Sequence, residues 1–312
     1  PKYEQDYGDV ILKFPDLFLY YKNDNDLQSL VAESNITTLI ATIFTSVKTV
    51  KLICDNNPKV NPAYYIQDYE PMFYEEGDDY KVEAAASYEL IPNATLFAKT
   101  KWIIDTVEKH HKVKVHKVSP SIDHEVYFPL LKDATEKVTI SAMIRPQTPR
   151  RGAKRTMEVL KDLKAQFNTK IEIKIFGCDA LLLDDHKLPQ DFEFENRGVL
   201  TRNKVAELLR LSDVFIDLSD YQAFGRTGLE AMACHCIPIL PQEGGVYEYA
   251  TDENSIIVDS FNTKEAIDKI STLITDNSLR TEIQDRTINT ALNFDIARAA
   301  WSEVQLLKNK EI

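Results

Sequence analysis

Along the second half of the chain, uninterrupted apolar runs alternate with stretches whose apolar residues recur at the helical period. Lys137–Ile144 reads as a strand, and Gly152–Phe167 as a helix with Met157, Leu160, Leu163 and Phe167 on one face. The strand Ile171–Gly177, the helix Arg202–Leu211 and the strand Asp213–Ser219 follow. Val214-Phe215-Ile216 shows no polar alternation, the pattern of a strand covered on both faces. Then come a helix at Thr227–Cys234, strands at Ile237–Pro241 and Ser255–Asp259, and three helical patterns, the last Phe294–Lys308. This order predicts a parallel sheet with crossover helices, a doubly wound α/β domain.

The first half repeats the alternation less regularly. Thr38–Phe44, Ala63–Gln67, Thr95–Ala98 and Val113–Val118 predict strands, and Lys81–Tyr88 and Thr100–Lys112 predict helices. These strands are fewer than a complete mononucleotide-binding domain needs, so this half reads as the latter part of one. Pro120 and Pro129 bracket a segment that then turns charged. The junction is expected there, dividing domains 1–130 and 131–312. The start at Pro1-Lys2-Tyr3 lacks an initiator Met and a signal-peptide pattern, and reads as internal to a longer chain.

Composition narrows the function. A length of 312 residues suits about two domains. Lysines and arginines number 37 against 49 acidic residues, a net charge of −12 that argues against nucleic acid as a partner. An anionic ligand must then be held by a few local cations. No apolar run approaches the roughly 20 residues that span a bilayer. Cys54, Cys178, Cys234 and Cys236 form no CxxC and lie in or beside apolar segments, as in a reduced, cytoplasmic protein. Asp24-Asn25-Asp26 gives a superficial metal-binding DxD, better explained as an acidic turn ahead of any nucleotide fold. The chain lacks GxGxxG, Walker A, GxSxG and HExxH, and its 9 glycines leave little for a glycine-rich phosphate cradle.

What remains is a set of unusual residues at the carboxyl ends of the second-half strands, where open α/β sheets bind ligands. After Ile144 comes Arg145-Pro146-Gln147-Thr148-Pro149-Arg150-Arg151-Gly152, three arginines leading into a helix. Guanidinium forks and a helix N-terminus suit a diphosphate, while a solvated basic loop is the plainer reading of the same segment. After Ser219 comes Asp220-Tyr221-Gln222-Ala223-Phe224-Gly225-Arg226-Thr227, then a helix in which Glu230 stands among Leu229, Ala231, Met232 and Ala233. A carboxylate there needs a partner. Ribose hydroxyls would supply one, as would a nearby arginine. A third loop, Glu243-Gly244-Gly245-Val246-Tyr247-Glu248, follows the next strand.

Together these segments resemble the retaining glycosyltransferase family 4, which has the GT-B fold of two facing Rossmann-like domains. The family pattern is an Arg and a Lys beside the diphosphate, Glu-x7-Glu within EGFG…LEAMA, and a GG-x-x-E loop. Arg145 and Arg150 match the basic pair, Glu230 the second Glu, and Gly244, Gly245 and Glu248 the glycine loop. Ser121-Ile122-Asp123 to Phe128-Pro129 resembles the family's domain junction. Tyr65-Ile66-Gln67-Asp68-Tyr69-Glu70-Pro71-Met72-Phe73-Tyr74 and the Arg145–Arg151 loop resemble a bacterial rhamnosyltransferase-like branch that builds surface glycans from dTDP-rhamnose.

The resemblance implies a metal-independent hexosyltransferase-type enzyme with no cofactor. Its donor would be a nucleotide-diphosphate sugar, dTDP-rhamnose or a UDP-hexose, and its acceptor a glycan or lipid-linked glycan. It implies a donor site of Arg145, Arg150, Phe224, Gly225, Arg226, Thr227 and Glu230, with Gln222 at the sugar, and a C-terminal helix around Trp301 that returns to the N-domain. It admits a partner glycosyltransferase and peripheral association with the inner face of the cell membrane. Two residues depart from the pattern: Gln222 stands where the first Glu is usual, and His235 where Gly is usual. The neutral Gln222 motivates an alternative, a non-catalytic subunit of the same fold that binds a partner transferase or a glycan.

Overall fold

The computed structural model describes residues 8, 10–130 and 137–308. The Pro1–Asp6 start and the expected domain limits at 1, 131 and 312 lie outside them. The chain divides into two compact units, one formed by the residues up to Pro120 with those from Ala297 onward, the other by Ser121–Ile296.

The first unit runs α1 (Asp24–Glu33), β1 (Thr38–Ala41), α2 (Phe44–Asn56), β2 (Asn61–Ile66), α3 (Asp79–Ser87), β3 (Thr95–Ala98), α4 (Lys101–His110) and β4 (Val115–Lys117). Its four strands pair in parallel in the order β1-β2-β3-β4. Asp24-Asn25-Asp26 forms the first turn of α1, whose Asp26 amide donates to the Asn23 side chain at 3.1 Å. The strand expected at Thr38–Phe44 stops at Ala41, and Phe44 opens a helix. The β-branched run after it suggests extended chain, yet Phe44, Val47, Val50 and Ile53 are buried on one helical face. Packing overrides propensity there. The Phe44 amide donates at 2.8 Å to the buried Glu70 carboxylate, which also accepts from the Tyr64 hydroxyl at 2.6 Å.

The second unit runs β5 (Val138–Met143), α5 (Ala153–Phe167), β6 (Ile171–Phe176), α6 (Ala180–Asp185), β7 (Glu195–Asn196), α7 (Arg202–Leu211), β8 (Val214–Ile216), α8 (Arg226–Ala233), β9 (Ile237–Pro241), β10 (Ile256–Val258), α9 (Thr263–Thr275) and α10 (Asn277–Ala291). All six strands are parallel, in the order β10-β9-β8-β5-β6-β7. From β5 the chain builds outward to β6 and β7, then returns to lay β8, β9 and β10 on the other side. The strand order therefore reverses between β5 and β8, where open α/β sheets form a binding crevice. The apolar stretches of β8 and β9 are wholly buried, as their unbroken sequence predicts.

Ile122 and Tyr127 are buried in the second unit's core, and Asp123 pairs with Arg202 at 2.7 Å. These contacts draw Ser121–Pro129 into the second unit, so the division falls at Pro120 and not near residue 130. The last helix, α11 (Ile296–Lys308), places Leu306 and Leu307 against Ala63, Phe97 and Val118 of the first unit. Its Ser302 hydroxyl accepts the Ser119 amide at 2.9 Å. Trp301, the residue expected to mark this return, is itself exposed.

Burial pushes the Glu70 carboxyl above the ordinary glutamate range, against the hydrogen bonds from Tyr64 and Phe44. Glu70→Gln keeps an oxygen for both donors and removes the desolvated charge. Its stability at pH 8, read by urea unfolding, should therefore equal or exceed wild type, whereas Glu70→Ala should lose about 2 kcal/mol. The folded state holds the Glu70 proton more tightly than the unfolded one. Wild type should accordingly gain on Glu70→Gln as pH falls from the raised value towards the ordinary one.

Candidate active site

The first loop at the switch point leaves β5 and enters α5. A 3-10 turn at Pro149–Arg151 ends in Gly152, whose φ of +61° is left-handed. A Cβ on Gly152 would stand 2.2 Å from the Leu218 carbonyl oxygen, so only glycine lets this loop lie against the chain leaving β8. The contact is reinforced on both sides. The Asp220 amide donates to the Arg150 carbonyl at 2.8 Å. Arg155 donates from Nε and Nη2 to the Leu218 carbonyl at 3.1 and 2.8 Å, and pairs with Asp220 at 2.6 Å. Phe261 lies under the Arg155 guanidinium at 4.3 Å, and Tyr221 under that of Arg150 at 5.7 Å.

The second loop runs from β8 to α8. Asp217 is buried and accepts the Ser219 amide at 3.0 Å, the Ser219 hydroxyl at 2.5 Å and the Gln222 amide nitrogen at 2.5 Å. Gln222 also donates to the Ser219 hydroxyl at 3.2 Å. Its N–H2 is thus engaged inside the protein. Gly225, left-handed at φ +76°, starts α8 with no side-chain cap, and the α5 start likewise has no side-chain cap. Each of these N-termini offers backbone N–H groups to an anion.

The third loop, after β9, closes on the second. Gln222 bridges to Gly244, its amide donates to the Glu243 carbonyl at 3.1 Å, and its own carbonyl accepts the Gly245 amide at 2.7 Å. A Cβ on Gly244 would fall 2.0 Å from the Gln222 carbonyl oxygen. The buried Tyr249 hydroxyl donates to the Gly225 carbonyl at 2.6 Å, and its ring meets Phe224 edge-on at 5.4 Å.

Glu230 sits in α8 with 8% of its surface exposed. Burial raises its carboxyl above the usual range, opposed by the Arg226 and Arg202 charges and by hydrogen bonds from Tyr127 and Thr227. The partner that a carboxylate on this apolar helix requires is therefore partly internal: the Tyr127 hydroxyl from the junction segment and two arginines. His235 follows α8 at φ +62°, the left-handed position that closes many helices and favours glycine, and its Nε2 lies 3.3 Å from Asp285.

The candidate residues thus fall on two loops joined at the switch point. Arg145 and Arg226 are exposed, Arg150 and Thr227 half-buried, and Gln222, Phe224, Gly225 and Glu230 buried. Sequence reasoning passed over Asp217, Ser219, Tyr249, Arg155, Arg202 and Tyr127. Asp217 alone carried a signal, as a charge closing an otherwise apolar strand. A cleft of about 500 Å³ is lined by Pro146, Pro149, Lys154, Arg155, His186 and neighbouring residues. It shares the basic loop but includes neither Gln222 nor Glu230, so the chemistry and not this volume locates the site. Among the described residues no cluster of His, Cys, Asp and Glu could hold a metal ion. None of their helices is long and apolar enough to cross a membrane.

The loop contact can be tested with a matched pair of glycines. Gly244→Ala combines a left-handed φ of +116° with the collision against Gln222, while Gly198 has φ +67° and nothing within 4 Å of its Cβ. Gly198→Ala should cost about 1 kcal/mol of backbone strain and Gly244→Ala roughly 3 kcal/mol, measured by denaturant unfolding. Equal costs would mean that the second and third loops do not touch as described.

Residues 131–290 match the family described as Glycosyl transferases group 1. A search of the curated proteins gives no match. Among solved structures, TarM of S. aureus superposes with a TM-score of 0.73 at 15% identity, over 92% of this chain and 59% of its own. HepE of Anabaena, in complex with UDP and glucose, superposes with a TM-score of 0.76 at 15% identity, over 91% and 80%. Sucrose-phosphate synthase of Thermosynechococcus elongatus gives 0.75 at 14% identity, over 98% and 79%. This chain spans 59% of the length of TarM. At these identities the likeness is one of fold, two parallel-sheet α/β units of the GT-B type. By its sequence, the chain belongs to the group 1 glycosyltransferases.

Proposed function

We propose that this protein is a retaining glycosyltransferase whose second unit holds a nucleotide-diphosphate sugar at the β5–β8 switch point. The carrying observation is that the loops from β5 and β8, which touch at Gly152 and Leu218, each lead into a helix start without a side-chain cap, α5 and α8, with Arg150 on the first loop and the buried Glu230 in α8. Arg145, Arg150 and the amides at Phe224–Thr227 stabilise the charge that grows on the departing diphosphate. Glu230, held by Tyr127 and Thr227, takes the ribose hydroxyls, and Gln222 faces the sugar. The acceptor, a glycan or lipid-linked glycan, is assigned to the first unit. A complex of TarM with UDP and of HepE with UDP and glucose supports a uridine-diphosphate donor. The rhamnosyltransferase-like residues noted in the sequence favour dTDP-rhamnose.

A non-catalytic subunit of the same fold is the second reading, favoured by the neutral side chain at 222. A thermal-shift screen against UDP-, dTDP-, GDP- and ADP-sugars tests both readings. A donor at a hundredfold over its Kd adds about 2.7 kcal/mol to stability, and release of nucleoside diphosphate then separates enzyme from subunit. Arg150→Ala and Glu230→Ala should each weaken donor binding about tenfold or more. Lys161→Ala, which breaks only an exposed pair with Asp191, should leave binding unchanged. Transfer should persist in EDTA, because arginines and helix termini already neutralise the diphosphate. Loss of activity in EDTA with recovery in Mn²⁺ would contradict the assignment.

A further inference from the structure

Asp217 plays no part in the reading above, yet among the described residues it is the acidic side chain bonded to Gln222. It closes β8 beyond three buried residues and is itself 8% exposed. A carboxylate at that depth must be hydrogen-bonded or paired. Its side-chain partners are neutral: Ser219 through amide and hydroxyl, and Gln222 through Nε2. An ionised carboxylate only accepts hydrogen bonds, so the end of the Gln222 amide that faces it has to be N–H2. Oε1 is then turned away from both Asp217 and Ser219. A hydrogen bond to a charged acceptor also polarises the amide and makes Oε1 a stronger acceptor.

A Glu at 222 would set two carboxylates at a 2.5 Å contact, where both cannot stay ionised. Gln at 222 and Asp at 217 are therefore complementary, and the neutral residue follows from the charge behind it. Resting on the transferase reading, we propose that Asp217 is the positioning residue for the sugar end of the donor site. It holds the Gln222 amide with Oε1 towards the donor. It also keeps, one side chain back, the negative charge that a Glu at 222 would carry. That charge favours positive charge developing at the sugar, without touching the substrate. On this account the Gln222 substitution marks a relocated charge and not a lost one.

A charge-swap cycle tests the proposal in the full chain, with Asp217→Asn, Gln222→Glu and the double variant. The readouts are nucleoside-diphosphate release from the donor found in the screen, donor KM, and nucleoside-diphosphate affinity by calorimetry. Asp217→Asn removes the charge and lets the Gln222 amide turn over; Gln222→Glu creates the carboxylate clash. Each should lower kcat at least tenfold while KM and nucleoside-diphosphate affinity change less than about threefold. The double variant again pairs an amide at 217 with an acceptor at 222, and should recover most of the kcat lost by either single change. Wild-type turnover in Asp217→Asn, or losses that simply multiply in the double variant, would overturn the proposal. Should Asp217→Asn fail to fold, the double variant is still expected to fold and turn over; its failure as well would overturn it. A wild type that neither binds nor consumes any nucleotide sugar would instead defeat the transferase reading, and this inference with it.

Discussion

Where the chain leaves β5, β8 and β9, three loops touch backbone to backbone. Gly152 lies against the Leu218 carbonyl, and Gly244 against the Gln222 peptide, at separations that no side chain permits. These contacts hold the start of α5 against the chain leaving β8 and fix the turn that carries Gln222. In a chain with 9 glycines the candidate site is not a glycine-rich cradle. It is built from turns stacked on one another, with Arg155, Asp220 and Tyr249 tying them together. The candidate site inherits its geometry from that stacking.

Two buried carboxylates sit on this framework, and the surroundings treat them differently. Glu230 is desolvated but lies near Arg226 and Arg202, which offset part of its burial, and it accepts from Tyr127 and Thr227. Asp217 accepts from neutral donors, two of them on Ser219 and one on Gln222. A carboxylate beside arginines suits a neutral hydroxyl ligand, because its charge is already balanced locally. One held only by dipoles keeps its field directed at whatever lies beyond those dipoles. The difference gives each acid a separate place in the proposed chemistry.

How much of this could be read from the sequence varied with the range of the interactions that decide each element. The strand at Ile237–Pro241 and the helix at Arg202–Leu211 were legible to the residue because local apolar pattern and burial agree. The helix at Phe44–Asn56 was not: its β-branched residues favour extended chain, and packing of Val47, Val50 and Ile53 with the Glu70 and Ser46 caps offsets that preference. The two-residue strand Glu195–Asn196 exists only through pairing with Lys174 and Ile175. For the site, the loops could be named because they follow strand ends, and glycine and arginine stand out in them. The Asp217–Gln222 bond and the Tyr127 contact to Glu230 could not, since they depend on loop closure and on where the junction segment packs. His235 could be read as a helix-end residue, and its left-handed backbone fits that role.

Hydrogen exchange of the intact protein with and without a bound nucleotide sugar most directly tests the claim that these stacked loops form the donor site. The account predicts slowed exchange at the amides of residues 150–155, 224–230 and 244–249, with no change in α6 or α9. Protection confined to other segments, or none at these three while donor is bound, would contradict it.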